Sequence, residues 1–190
     1  MKLERNLVMS EKNLIQHCAP TLAGLKTGSL FSCAFTSKKE LQDDLRAFNR
    51  RLSKKGLRLL PVQYKGKRAL IYVYRPKHLA RDLNRSEAQQ ILRARGYPSS
   101  HPSGCLVTLV EKLRTEAEFP HEIGLFLGYP PEDVSGFIEN RPEIKCVGAW
   151  KVYGDAHAAQ QLFRKYKKCT GVYTRHWESG KSIERLTVNV

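Results

Sequence analysis

SLFSCAFTSKKELQDDLRAFNRRLSKKGLRLLPVQYKGKRALIYVYR, residues 29–75, reads as strand, helix, strand, turn and strand. Residues 29–35 are a short apolar run between Gly28 and the polar pair Thr36-Ser37, the pattern of a buried strand. Ser37 then offers an N-cap oxygen, with Glu40 at the capping-box position. Leu41, Leu45, Phe48 and Leu52 recur at helical spacing and make one apolar stripe, and Gly56 suits the residue just past a helix end. Residues 57–64 and 68–75 are rich in Leu, Val, Ile and Tyr. Lys65-Gly66-Lys67 between them reads as a hairpin turn, and Pro76 closes the second strand.

Upstream, Ser10 opens a short helix with Glu11 in its first turn, where the dipole favours an acid, and Pro20 interrupts it. Downstream, 77–139 is a helical zone. Ser86 caps one helix, another spans about 103–115, and two shorter ones span about 121–127 and 131–139. Residues 145–153, KCVGAWKVY, return to strand character. Asp155 caps a helix with Ala156, Ala159, Phe163 and Tyr166 on one face, and a further helical stretch ends at Gly180. Residues 183–188 suit a last short strand. The fold class is therefore α+β: a small, mostly antiparallel sheet in a split βαβ, ferredoxin-like arrangement, with a helical insertion at about 77–140. Residues 1–190 are expected to form a single domain.

At 190 residues the chain is long enough to bury a sizeable core. Mean hydropathy is −0.47, and no apolar run approaches the ~20 residues of a membrane span. The start, MKLERNLVMSEKNL, lacks the apolar stretch of a secretory signal. A cytoplasmic location without membrane contact is the expectation. Five widely spaced cysteines with no CxxC fit neither a disulfide framework nor a structural zinc site, so no metal ligands are assigned.

Net charge is +15, unevenly spread. Residues 38–95 hold 17 basic and 5 acidic side chains, whereas 96–155 hold 5 and 9. A basic stretch attracts nucleic acid or other polyanions, and it also serves solubility. Arg46, Arg50, Lys54 and Lys55 on the helix, with Arg68 and Arg75 on the hairpin, are the candidate nucleic-acid contacts. Tyr64, Tyr72 and Tyr74 stand beside them as stacking rings or as sheet core.

GYPSSHPSG at 96–104 and GYPPEDVSG at 128–136 agree at five of nine positions. In each, Gly can take the left-handed conformation that ends a helix, Tyr packs back and Pro prevents continuation. The second resembles a helix-turn-helix, with Gly124 allowing close approach and Gly128 the turn. Glu132, Asp133 and Glu139 on its second helix would repel phosphates, so close helix packing is the better reading.

Complete catalytic signatures are missing. His121-Glu122 lacks the second histidine of HExxH, because Leu125 stands there. Gly180-Lys181-Ser182 and Gly24-Leu25-Lys26-Thr27 both fail as P-loops. Two places remain. WKVYGD at 150–155 runs from strand into helix, where Lys151 and the N–H groups after Asp155 suit an anion. In KYKKCT at 165–170, Cys169 lies beside two lysines, and Cys18 follows His17, neighbours that can favour a thiolate.

HCAPTLAGLKTGSLF (17–31), FPHEIGLFLGYPPEDVSGFI (119–138) and CVGAWKVYGD with KYKKCT (146–170) resemble the bacterial domain-of-unknown-function family 3793, common in anaerobic Firmicutes. The resemblance runs from about Glu11 to Val188 and implies no activity. Its motif positions include Cys18, His121, Glu122, Gly128, Lys151, Asp155 and Cys169, and the basic stretch lies outside them. The first expectation is thus an accessory protein binding a small anionic ligand or cofactor through His121, Lys151 and Asp155. The alternatives are a nucleic-acid-binding protein and a thiol-based redox protein using Cys18 and Cys169.

Overall fold

The run RALIYVY forms β3 (Arg68–Tyr74), and it takes the middle of the sheet because both of its faces are apolar. The computed structural model describes residues 9–98 and 101–190. β1 (Gly28–Ala34) and β2 (Arg58–Lys65) flank β3, both antiparallel to it, with Phe31 opposite Ile71 and Leu59 opposite Val73. β1 and β2 are therefore parallel to each other, and α2 (Lys38–Leu52) makes the crossover. This is the split βαβ unit expected from residues 29–75, and the class is α+β. The Ser37 hydroxyl caps α2 by accepting the Glu40 N–H at 3.4 Å.

Both faces of the sheet are covered. Phe31, Cys33, Leu59, Ile71 and Val73 pack with residues of α1 (Glu11–Leu22), α2 and α9 (Ile183–Leu186). Leu30, Val62, Leu70 and Tyr72 face the insertion, made of α3 (Pro76–Leu83), α4 (Ser86–Ala94), α5 (Pro102–Thr115), α6 (Ile123–Phe126) and α7 (Pro131–Ile138). A bulge between Pro61 and Gln63 in edge strand β2 resets the alternation, so Leu60 and Val62 join the second core and Tyr64 the first.

The two Gly-Tyr-Pro turns are built alike. Gly96 and Gly128 have φ of +77° and +78°, and Tyr97 and Tyr129 donate their N–H to the carbonyls of Leu92 and Gly124 at 3.0 and 2.9 Å. Both are six-to-one helix caps. They are then tied across the insertion, because the Tyr97 hydroxyl donates to the buried Glu122 carboxylate at 3.0 Å.

Several expectations differ from the structure. Ser86 does not cap α4 but is its first residue, with Arg85 at the N-cap position and the Ser86 hydroxyl donating to the Glu87 carboxylate at 3.0 Å. Residues 145–153 do not join the main sheet: β4 (Cys146–Val147) and β5 (Lys151–Val152) pair only with each other. Residues 183–188 begin as a helix turn, because Ile183 and Leu186 are buried at helical spacing and the Thr187 hydroxyl donates to the Ile183 carbonyl at 2.8 Å. α1 continues past Pro20, which lies so near its end that few helix bonds are affected. α8 (Ala156–Glu178) is one 23-residue helix lying against α1.

Arg75, directly after β3, closes this assembly. It is 1% exposed, and its guanidinium donates to Thr21 O at 2.7 Å, Leu22 O at 2.6 Å, Lys55 O at 3.1 Å and Val188 O at 2.9 Å. It thus caps α1, which has no basic residue in its last turn, and fastens the end of the chain. Arg75 therefore leaves the list of nucleic-acid contacts, since carbonyl acceptors take its donors inside the fold. A second arginine, Arg51, bridges Glu11 of α1 and Glu184 of α9, holding the Glu184 carboxyl down at about 2. The stability this contributes is complete above the ordinary carboxylate pKa and is lost as pH falls toward 2. Being partly exposed to solvent, the bridge contributes less than Arg75. Arg75→Met is expected to lower unfolding stability by about 3 kcal/mol or more, since the Lys55 and Val188 carbonyls lose the guanidinium and those of Thr21 and Leu22 are left with a single backbone N–H each; urea denaturation measures it.

Candidate functional site

The site grows from the start of α7. Pro131 occupies its first turn with Glu132 and Asp133, acids that complement the helix dipole. Glu132 stays exposed, but Asp133 is 3% exposed and reaches across to the β4–β5 hairpin. Its Oδ2 accepts the Trp150 indole N–H at 2.7 Å, and its Oδ1 accepts the N–H groups of Tyr153 and Gly154, both at 2.8 Å. Three donors to one carboxylate make a strong tie for so short a hairpin.

Close packing fixes the rest. Gly124 lets α6 approach α7, since a β-carbon there would meet Val134 Cγ2 at 2.8 Å, and a β-carbon on Gly148 would collide with the Phe163 ring. Trp150 stacks on Tyr129 with centroids 4.4 Å apart and meets Phe163 edge-on at 4.6 Å. The Tyr129 hydroxyl donates to Ala149 O at 3.3 Å, and Lys145 Nζ donates to Gly154 O at 2.8 Å.

Between the hairpin and α6–α7 lies a cavity of about 470 Å³, within the usual range for small-molecule sites. Its lining is mainly apolar and includes Phe119, Phe137, Val147 and Trp150. Phe119 and Val147 are 46% and 69% exposed, so the apolar wall continues to the open rim. His121 and Lys151 also line it. The His121 ring meets Phe137 edge-on at 4.9 Å, and Lys151 Nζ stands 5.3 Å from the same ring's centroid. Two exposed basic side chains thus bracket one phenyl ring.

Of the three residues expected to form a ligand site, His121 and Lys151 share this cavity. Asp155 does not line it; its Oδ1 accepts the Ala158 N–H at 3.0 Å and caps α8. The residue missed from the sequence is Asp133, which stood among acids read as a surface that repels phosphate. Its only signal was an acid beside an N-terminal proline, and that describes an ordinary helix start equally well.

The other candidates separate. Burial pushes the Cys18 thiol well above its ordinary pKa, against the opposing effects of the Lys26 charge and the Ser29 hydrogen bond. Burial lifts Cys169 to about 11, while Lys167 and Lys168 point to solvent. His17 is exposed and stacks on Phe31 at 5.1 Å. The thiolate expectation is therefore reversed at both positions, because desolvation outweighs the basic neighbours. Arg46 and Arg50 are exposed on α2, but Lys54 and Lys55 lie past its end in a 3-10 turn, Lys54 exposed and Lys55 half-buried, and Arg68 is exposed but bonds Ser32 Oγ at 2.8 Å. The rings expected beside them turn inward: Tyr72 is buried, donates to Phe126 O at 2.6 Å and stacks on Tyr74.

Among the described residues, no group of three or more His, Cys, Asp or Glu side chains gathers as a metal site, and no helix is long and apolar enough to cross a membrane. The family model described as protein of unknown function (DUF3793) matches residues 14–187. The chain belongs to this family. No curated protein and no solved structure matches it. In this DUF3793 protein the described residues that line the cavity all come from the stretches 119–138 and 146–170.

Asp133→Asn would set an amide N–H₂ against at least one of the three donors now bonded to the carboxylate. It is expected to cost about 2–3 kcal/mol in urea denaturation and to shift Trp150 emission to the red in a Trp177→Phe background. Unchanged stability and emission would show that the hairpin is held by other contacts.

Proposed function

We propose that this protein binds a small amphipathic anion in the cavity between the β4–β5 hairpin and α6–α7. An apolar, preferably aromatic, body lies against Phe119, Phe137 and Trp150, and its carboxylate, sulfonate or phosphate meets Lys151 and the His121 ring N–H. The observation that carries this reading is the pairing of two basic side chains around Phe137 at the mouth of a mainly apolar cavity, whose one carboxylate, Asp133, is already taken up by three N–H donors. The apolar wall supplies most of the affinity, while the basic pair selects for charge and orients the ligand. A role as a binding module follows, with the ligand's head held at the surface and its body inside.

Anilinonaphthalene sulfonate has this design, and phenylnaphthylamine offers the same kind of ring system without the sulfonate. The protein is expected to bind the sulfonate more tightly, as read by dye fluorescence. Lys151→Met should weaken that binding about fivefold, near 1 kcal/mol for an exposed charge, and leave phenylnaphthylamine unchanged. Phe137→Ala should weaken both dyes. Equal affinity of the wild-type protein for the two dyes would overturn the proposal.

A further inference from the structure

A second cavity, of about 220 Å³, lies between the loop joining α1 to β1, the end of α3 and the Gly128 turn. Among the described residues it shares only Tyr129 with the apolar cavity, so that ring is the wall between them. Its character is opposite. Lys26, Arg81 and Arg85 line it with a single carboxylate, Asp82. Both Asp82 oxygens are already engaged: Oδ1 accepts Arg81 Nε at 2.9 Å, and Oδ2 accepts the Thr27 hydroxyl.

Lys26 is the unusual member. Its ammonium lies 5.3 Å from the Tyr129 centroid and 5.9 Å from that of Tyr166. Among the described residues neither Lys26 nor Arg85 has a carboxylate within 4 Å. Two ring faces offset only part of the cost of drawing an ammonium out of water. Burial accordingly lowers the Lys26 pKa to about 8, opposed only by the nearby Cys18 sulfur. The cavity therefore holds more positive charge than its own side chains neutralise, around a cation that gains by acquiring a counter-ion.

We propose that this cavity is an oxyanion site in which Lys26, with Arg85 beside it, binds the phosphoryl group of a small ligand. The volume suits a tetrahedral oxyanion and its immediate neighbours rather than a drug-sized body. Arg81 is held by Asp82 and faces the same space, while the Tyr166 ring walls the far side. Neither failed P-loop pattern is involved in the usual way: Lys26 acts here through a cavity assembled from α3, the Gly128 turn and α8, not through a glycine-rich loop. The site is independent of the amphipathic-anion reading, since neither Lys151 nor His121 lines it.

Trace acetylation of the folded protein, read by peptide mass spectrometry, tests the assignment with inorganic phosphate as the probe. Phosphate is expected to protect Lys26 and to leave the exposed Lys54 unchanged. Sulfate, whose charge is constant in this range, should bind with an affinity that falls several-fold between pH ~7 and ~9 as Lys26 loses its proton. Arg81, Arg85 and Asp82 face the same space, and over that window Tyr129, Tyr166 and Cys18 stay neutral because burial raises their pKa. Lys26→Met should bind sulfate roughly tenfold more weakly, with a flat pH profile. Equal protection of Lys26 and Lys54, or equal sulfate affinity of wild type and Lys26→Met, would overturn the proposal. If Lys26→Met does not fold, the labelling and pH profile of the wild-type protein decide alone.

Discussion

The Asp133 carboxylate gathers an indole N–H and two backbone N–H groups from a segment about 20 residues away in sequence. Strands of two residues have too few ladder bonds to stand alone, so the β4–β5 hairpin exists where this carboxylate and the ring stack hold it. Two consequences follow. Trp150 is pinned against Tyr129, which sets the wall shared by the two cavities. Lys151, next to Trp150, is carried to the mouth of the apolar cavity opposite His121. A single helix-start acid thereby positions a binding surface that no individual motif contains.

The other governing constraint is the use made of positive charge. A net charge of +15 suggests a uniformly cationic exterior. Three basic residues instead work at depth or across elements. Arg75 satisfies carbonyls from three separate segments inside the fold. Arg51 joins α1 to α9, and Lys26 sits against two tyrosine rings. Arginine suits the interior post because its planar fork reaches several acceptors at once and keeps its proton; lysine suits a site whose charge responds to a ligand. What remains on the outer face of α2 is a basic surface whose neighbouring aromatic residues turn toward the core.

How much of this was legible follows from the range of each interaction. The stripe Leu41, Leu45, Phe48 and Leu52 with its Ser37 cap, the hairpin at Gly66 and the paired Gly-Tyr-Pro turns are all set within a few residues, and all formed as read. The approach of α6 to α7 was also readable, because a glycine at a packing position has a local meaning. Arg75 was not: a cation after a strand looks like surface, and one of its acceptors, Val188, lies 113 residues away. The thiols were misjudged for the same reason, since adjacent His and Lys are visible in sequence while the burial that outweighs them is not. His121 and Lys151 were singled out on motif grounds, but only the Asp133 tie brings them to one cavity. Residues 145–153 carry strand-like composition, yet which partner they pair with is decided by that tie as well.

The measurement that bears most directly on this account is the indole N–H region of a ¹H–¹⁵N spectrum during titration with anilinonaphthalene sulfonate. Trp150 lines the proposed cavity, whereas Trp177 packs on the opposite core near the end of α8. The account predicts that the Trp150 signal moves progressively and saturates, with the Trp177 signal stationary. Movement of both indoles together, or of neither at dye concentrations that saturate fluorescence, would contradict it.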